Sequence, residues 1–115
     1  MKEITINLFE KLGSSAAVST DDGDTLFKLI SKALENEAQV VLDFTNIDFI
    51  TSTFLNAAIG QLYSKYDSSF LKRHLRVKNM QEEDLVLLKK VVDRAKEYFE
   101  NKNLVENAIK VSLGE

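Results

Sequence analysis

Three hydroxyl residues in a row, Thr51-Ser52-Thr53, stand between an apolar stretch and a segment of helical periodicity. A hydroxyl at the start of a helix can accept from the unpaired N–H groups of the first turn. The same position suits a phosphate, because those donors and the positive end of the helix dipole face it. Phosphorylation there would place about two negative charges on a neutral surface and repel a partner docked on the unmodified form. Ser52 therefore has two readings, a helix cap and nothing more, or a phosphoacceptor. Thr53 is the second candidate acceptor and Thr51 the third.

The other reactive side chains read as structural. Asp43 and Asp48 flank the preceding loop and could suggest acid–base work. No second catalytic type joins them, so they read as solvated loop carboxylates. Asp21, Asp22 and Asp24 resemble the opening of a calcium loop but lack the closing Glu, which leaves turn and cap chemistry. His74 is the only histidine, and the chain has no cysteine, so no metal set is expected. His74 itself reads as a surface strand residue. Lys72, Arg73, Arg76 and Lys78 form a local basic stretch. Charges alternating on an edge strand guard it against edge-to-edge pairing.

The elements that must position the hydroxyl run follow from periodicity. Ile4, Ile6 and Leu8 alternate with polar residues, the pattern of a strand with one buried face. Gly13 marks a turn, and Ser14 to Thr20 is either a short second strand or a loop. Asp21 to Asp24 reads as a polar turn that caps a helix from about Thr25 to Asn36, with Leu26, Leu29, Ile30, Ala33 and Leu34 on one face. Gln39 to Phe44 is apolar with little alternation, which predicts a central strand covered on both faces. After a connection over Thr45 to Phe49, a helix is expected from about Thr53 to Tyr66, broken by Asp67-Ser68-Ser69. Leu75 and Val77 mark a further strand. Asn79 then caps a helix, with Glu82 in capping-box position. The tail from Asn103 favours a last helix over a strand. Strands alternating with helices predict an α/β fold, a sheet of about four strands layered with three to four helices.

The chain has 115 residues, 44% of them hydrophobic, enough for one compact core, so a single domain over 1–115 is expected. The net charge of -3 argues against nucleic acid as a partner, since phosphate binding needs a basic surface. No apolar run approaches the roughly 20 residues of a membrane span, and MKEITINLF is too charged for a signal peptide. A soluble cytoplasmic protein without a cofactor is expected.

The stretch VVLDFTNIDFITSTFLNAAIG resembles the STAS domains, the anti-sigma factor antagonist and sulphate-transporter group. The match runs from Val40 to about Leu62. The Val-Leu-Asp-Phe strand and Ser-Thr-Phe-Leu helix start are most similar to a STAS-like bacterial family of unknown function. The resemblance implies a STAS-like fold. It also implies a protein partner, a histidine-kinase-type ATPase or anti-sigma-like kinase. On it, the family's aspartate falls on Thr51, its phosphorylated serine on Ser52, its second serine on Thr53 and its glycine on Phe54. The expected role is a non-enzymatic regulatory module that binds its partner around Thr45 to Asn56. Asn46, Asp48, Thr51, Phe54 and Asn56 are the binding candidates, under control of Ser52 phosphorylation. Phe54 either packs inward or stands out as an anchor. The alternative is a small-ligand or nucleotide-binding module that uses the helix start at Ser52 as an anion site.

Overall fold

The computed structural model describes residues 2–112, with side chains for 2–100. The chain runs β1 (Glu3–Asn7), α1 (Leu8–Leu12), β2 (Ala16–Ala17), α2 (Thr20–Glu35), β3 (Gln39–Asp43) and β4 (Phe49–Ile50). It continues through α3 (Ser52–Ala58), a 3-10 helix (Gly60–Ser64), α4 (Ser68–His74), β5 (Leu75–Lys78) and α5 (Glu82–Ser112). The fold is mixed α/β, as expected, but its strands divide between a parallel three-stranded sheet, β1-β3-β5, and a parallel pair, β2-β4.

The register of the larger sheet explains its core. Ile4, Val40 and Leu75 form one cross-strand row, and Ile6, Leu42 and Val77 the next. Both rows point to the same face, because side chains alternate along a strand. There they join Leu26 and Ile30 of α2, Leu55 of α3, Leu62 and Val91 in one buried cluster. Both crossovers step in the same direction, from β1 to β3 to β5. Right-handed connections of that kind put their helices on one face. The opposite face carries Glu3, Thr5, Gln39, Asp43, Arg76 and Lys78, so β3 is central but is not covered by helices on both sides. Val41 points to that polar face and is still only 5% exposed. Arg76 of β5 reaches across β3 to Glu3 of β1 at 2.7 Å and, being in register with Val41, roofs it.

Several segments differ from expectation, each for a local reason. Asp21 to Asp24 is not a turn before a helix but the opening of α2 itself. Ser19 is the cap, its Oγ accepting from Asp22 N at 3.1 Å, which places Asp21 and Asp22 in the first turn where the dipole favours them. Leu8–Leu12 forms a short helix because the Asn7 side chain caps it, accepting from Glu10 N. Past Ala58 the expected long helix tightens into the 3-10 segment. The Gln61 amide donates to the Ala57 carbonyl at 2.8 Å and to Asp24 at 2.9 Å, satisfying an acceptor the change of helix frees.

Asp67-Ser68-Ser69 starts a helix rather than only ending one. The Asp67 carboxylate accepts from Phe70 N at 2.8 Å and from Ser69 Oγ at 2.9 Å. His74 consequently ends α4 and is not a strand residue. Its ring stacks on Phe70 with centroids 4.1 Å apart, and Nδ1 lies 2.9 Å from the Phe70 carbonyl. Asn79 does not cap α5, which begins at Glu82. The tail helix expected from Asn103 is the continuation of α5 to Ser112, and the end of that expectation lies outside the described residues. No helix of the described residues is long and apolar enough to cross a membrane.

Candidate functional site

The hydroxyl run is held by a small ladder at the carboxyl ends of the strands. The Ser15 carbonyl accepts from Asp48 N at 2.8 Å, and Thr51 N donates to the Ala17 carbonyl at 3.2 Å. Thr51, not Ser52, is the cap of α3. Its hydroxyl accepts from Phe54 N at 3.1 Å and donates to the Val18 carbonyl at 2.8 Å. Both halves of that hydroxyl are therefore used, tying the helix start to the β2 segment. Of the three hydroxyls in the run, that of Thr51 is the one committed to backbone groups. Ser52 and Thr53 occupy the first helical positions, Ser52 half-buried and Thr53 exposed. The hydroxyls of Ser52 and Thr53 make no hydrogen bond among the described residues.

The remaining candidates divide. Asn46, Asp48 and Asn56 are exposed. Asn46 adopts φ 64°, a left-handed turn conformation that Asn tolerates. Phe54 is 0% exposed and belongs to the core, so it is not a docking anchor. α2 packs against α3 there, and Phe54 and Leu55 both join the buried cluster.

The aromatic that faces solvent next to the hydroxyl run is Phe49, 66% exposed on β4. In the β2-β4 ladder Ala16 is opposite Phe49 and Ala17 opposite Ile50. Ile50 packs against the core, so alternation turns Phe49 outward. Val18, 41% exposed, shares that outer side one step on. Sequence reasoning singled out neither, because it read Thr45 to Phe49 as a connection and left Ser14 to Thr20 as a short strand or a loop. The signal was the Phe49-Ile50 pair itself, which only alternation can separate.

Asp43 is not a free loop carboxylate. Its Oδ1 accepts from Thr45 Oγ1 at 2.6 Å, Thr45 N at 3.0 Å and Asn79 Nδ2 at 3.0 Å. Asn79 Nδ2 also donates to Thr45 Oγ1, and Asn79 sits at φ 60°. The Thr45 hydroxyl, the Asn79 amide and the Thr45 N–H hold the Asp43 carboxyl down at about 2, helped by Lys78 and opposed by partial burial. The cluster ties the ends of β3 and β5 together, a structural use of its polar groups. Among the described residues no three His, Cys, Asp or Glu side chains converge as a metal set would require.

The geometry is thus a buried sheet end, an exposed aromatic and two unbonded hydroxyls at a helix start. No curated protein and no solved structure matches the chain significantly. A family model described as a STAS-like domain of unknown function matches residues 22–85, from the first turn of α2 to the first turn of α5. That span covers more than half of the chain and contains β3, β4, α3, α4 and β5, so the chain belongs to the family of STAS-like domains of unknown function.

Proposed function

We propose that this STAS-like domain is a non-enzymatic regulatory module that docks a protein partner on the surface around Phe49 and is switched by phosphorylation at Ser52 or Thr53. The exposure of Phe49 directly before the hydroxyl run carries this reading. An aromatic ring left in water beside polar neighbours is the usual anchor of a protein interface. Val18 extends the apolar centre, and Asn46, Asp48, Thr53 and Asn56 supply a polar rim. A phosphate on Ser52 or Thr53 would meet the free N–H groups of the first turn of α3 and put charge on that rim. The resemblance to anti-sigma factor antagonists points to a histidine-kinase-type ATPase as the partner class.

The small-ligand alternative draws less support. Ligand crevices of open α/β sheets form where the strand order reverses, and β1-β3-β5 has no reversal. Incubation with a histidine-kinase-type ATPase that phosphorylates serine, followed by mass spectrometry, tests the modification directly. In a binding assay with the same kinase, Phe49→Ala is expected to weaken the complex at least about tenfold, the scale of an interface anchor. Ser52→Asp should weaken it and Ser52→Ala retain it. Full binding by Phe49→Ala sinks the surface. Full binding by both Ser52→Asp and Thr53→Asp sinks the switch.

A further inference from the structure

A second surface lies at the far side of the sheet. Among the described residues β5 is an edge strand, paired with β3 and with nothing beyond it. Phe44 N donates to the Lys78 carbonyl, so the backbone groups of Lys78, and of Arg76 two residues back, turn toward β3. Leu75 and Val77 turn theirs to the open edge. The Leu75 N–H is taken by the Leu71 carbonyl at the end of α4. The Leu75 carbonyl and both backbone groups of Val77 are left facing outward.

Beside them runs a groove of about 500 Å³ between β5, α4 and α5. Ile59, Tyr63, Leu88 and Val92 give it an apolar lining, and Lys72 and Lys96 stand over it. No carboxylate lines it. Neither Lys72 nor Lys96 is in an ion pair among the described residues. Asp93, near Lys96 on α5, is held by Lys89 at 2.8 Å.

We infer that the β5 edge accepts an extended acidic segment of a partner protein as an added strand. Backbone groups of Leu75 and Val77 supply the ladder bonds, and the groove takes alternate apolar side chains, the arrangement of strand addition. Arg76 and Lys78 on the open face select for carboxylates at the intervening positions, and Lys72 and Lys96 keep the rim of the groove cationic. A second copy of β5 is the wrong occupant, because edge pairing would bring Arg76 and Lys78 of one chain against the same cations of the other. The cations that prevent self-pairing thus favour an acidic guest.

An NMR titration of the full chain with a capped Glu-Val-Glu-Val-Glu-Val peptide tests this. Saturable shifts are expected at the amides of Leu75 to Lys78 and at Lys72 and Lys96. A Lys-Val-Lys-Val-Lys-Val peptide should bind at least about tenfold more weakly, as should the acidic peptide N-methylated at alternate nitrogens. The variant Lys78→Glu, at an exposed position and with its folding verified by the amide spectrum, should narrow the preference between the two peptides. No saturable shift at millimolar peptide overturns the inference. So does equal binding of the basic or N-methylated peptide, or shifts confined to the Phe49 surface.

Discussion

At the scale of single residues, two side chains carry measurable consequences. Asp43 has its folded pKa drawn down from 3.8 to about 2, first by the Thr45 hydroxyl and then by the Asn79 amide. A depressed carboxyl stabilises the fold above its unfolded pKa, and that contribution is lost as pH falls from 3.8 through about 2. Asp43→Asn should therefore cost about 1 kcal/mol at neutral pH, after allowing for solvent screening. The gap from the parent should close toward pH 2. Urea unfolding across that window reads it, and a gap independent of pH would refute the assignment. Glu37 presents the opposite case. It follows α2 at φ 61°, with Glu37 N donating to the Leu34 carbonyl and Ala38 N to the Ala33 carbonyl. This helix end normally takes glycine, since a side chain there is strained. Glu37 is exposed and makes no side-chain hydrogen bond among the described residues. Glu37→Gly is expected to raise stability by about 0.5–1 kcal/mol, seen as a higher urea midpoint at unchanged slope. A lower midpoint would show that the strain argument fails.

At the scale of elements, the crossing of α2 over α3 is the tightest joint. A Cβ on Gly23 would lie 2.6 Å from the Ala57 Cβ and 2.7 Å from the Phe54 carbonyl oxygen. Neither is the end of a flexible side chain, so the helices themselves would have to part. Gly23→Ala should cost about 1–3 kcal/mol, overpacking outweighing alanine's better helix propensity. Gly60→Ala is the control. Its nearest neighbours lie at 3.6 to 3.9 Å, and a change within about 0.5 kcal/mol is expected. Equal effects at the two positions in thermal melts would reject a specific close approach. Gly23 also shows how far the sequence is legible. In a run of aspartates it reads as a turn glycine, and nothing local says that a neighbouring helix comes to rest on it. The α2 stripe of Leu26, Ile30 and Leu34 was legible because burial of one face imposes its period. The start of α2 at Ser19, the start of α4 at Asp67 and the tightening at Gly60 were misread. Each turns on which side chain reaches which backbone group, a choice made after the chain has folded.

At the scale of the whole molecule, the long α5 sets the shape. The radius of gyration is 15.5 Å, against about 13 Å for a compact chain of this length. The extents are 54 × 30 × 23 Å, and α5, with 31 residues, is about 46 Å long. Small-angle scattering of the monomer should give an elongated distance distribution, and a compact symmetric one would show that α5 folds back. The rest of the body is a sheet with helices against one face and an open polar face on the other, crossed by the Arg76–Glu3 pair. The amino-acid sequence by itself determined the α/β class, the central β3, the junction before α3 and the family likeness there. Those rest on local hydrophobic period and on a motif contiguous in the chain. Only the tertiary structure decided that Thr51 is the cap, that Phe54 is buried and that Phe49 faces water. The cap and the facing of Phe49 depend on the pairing of β2 with β4, and the burial of Phe54 on the packing of α2 against α3, all contributed by segments far apart in the chain. A strand's facing is settled by its partner's register, and register is a long-range fact.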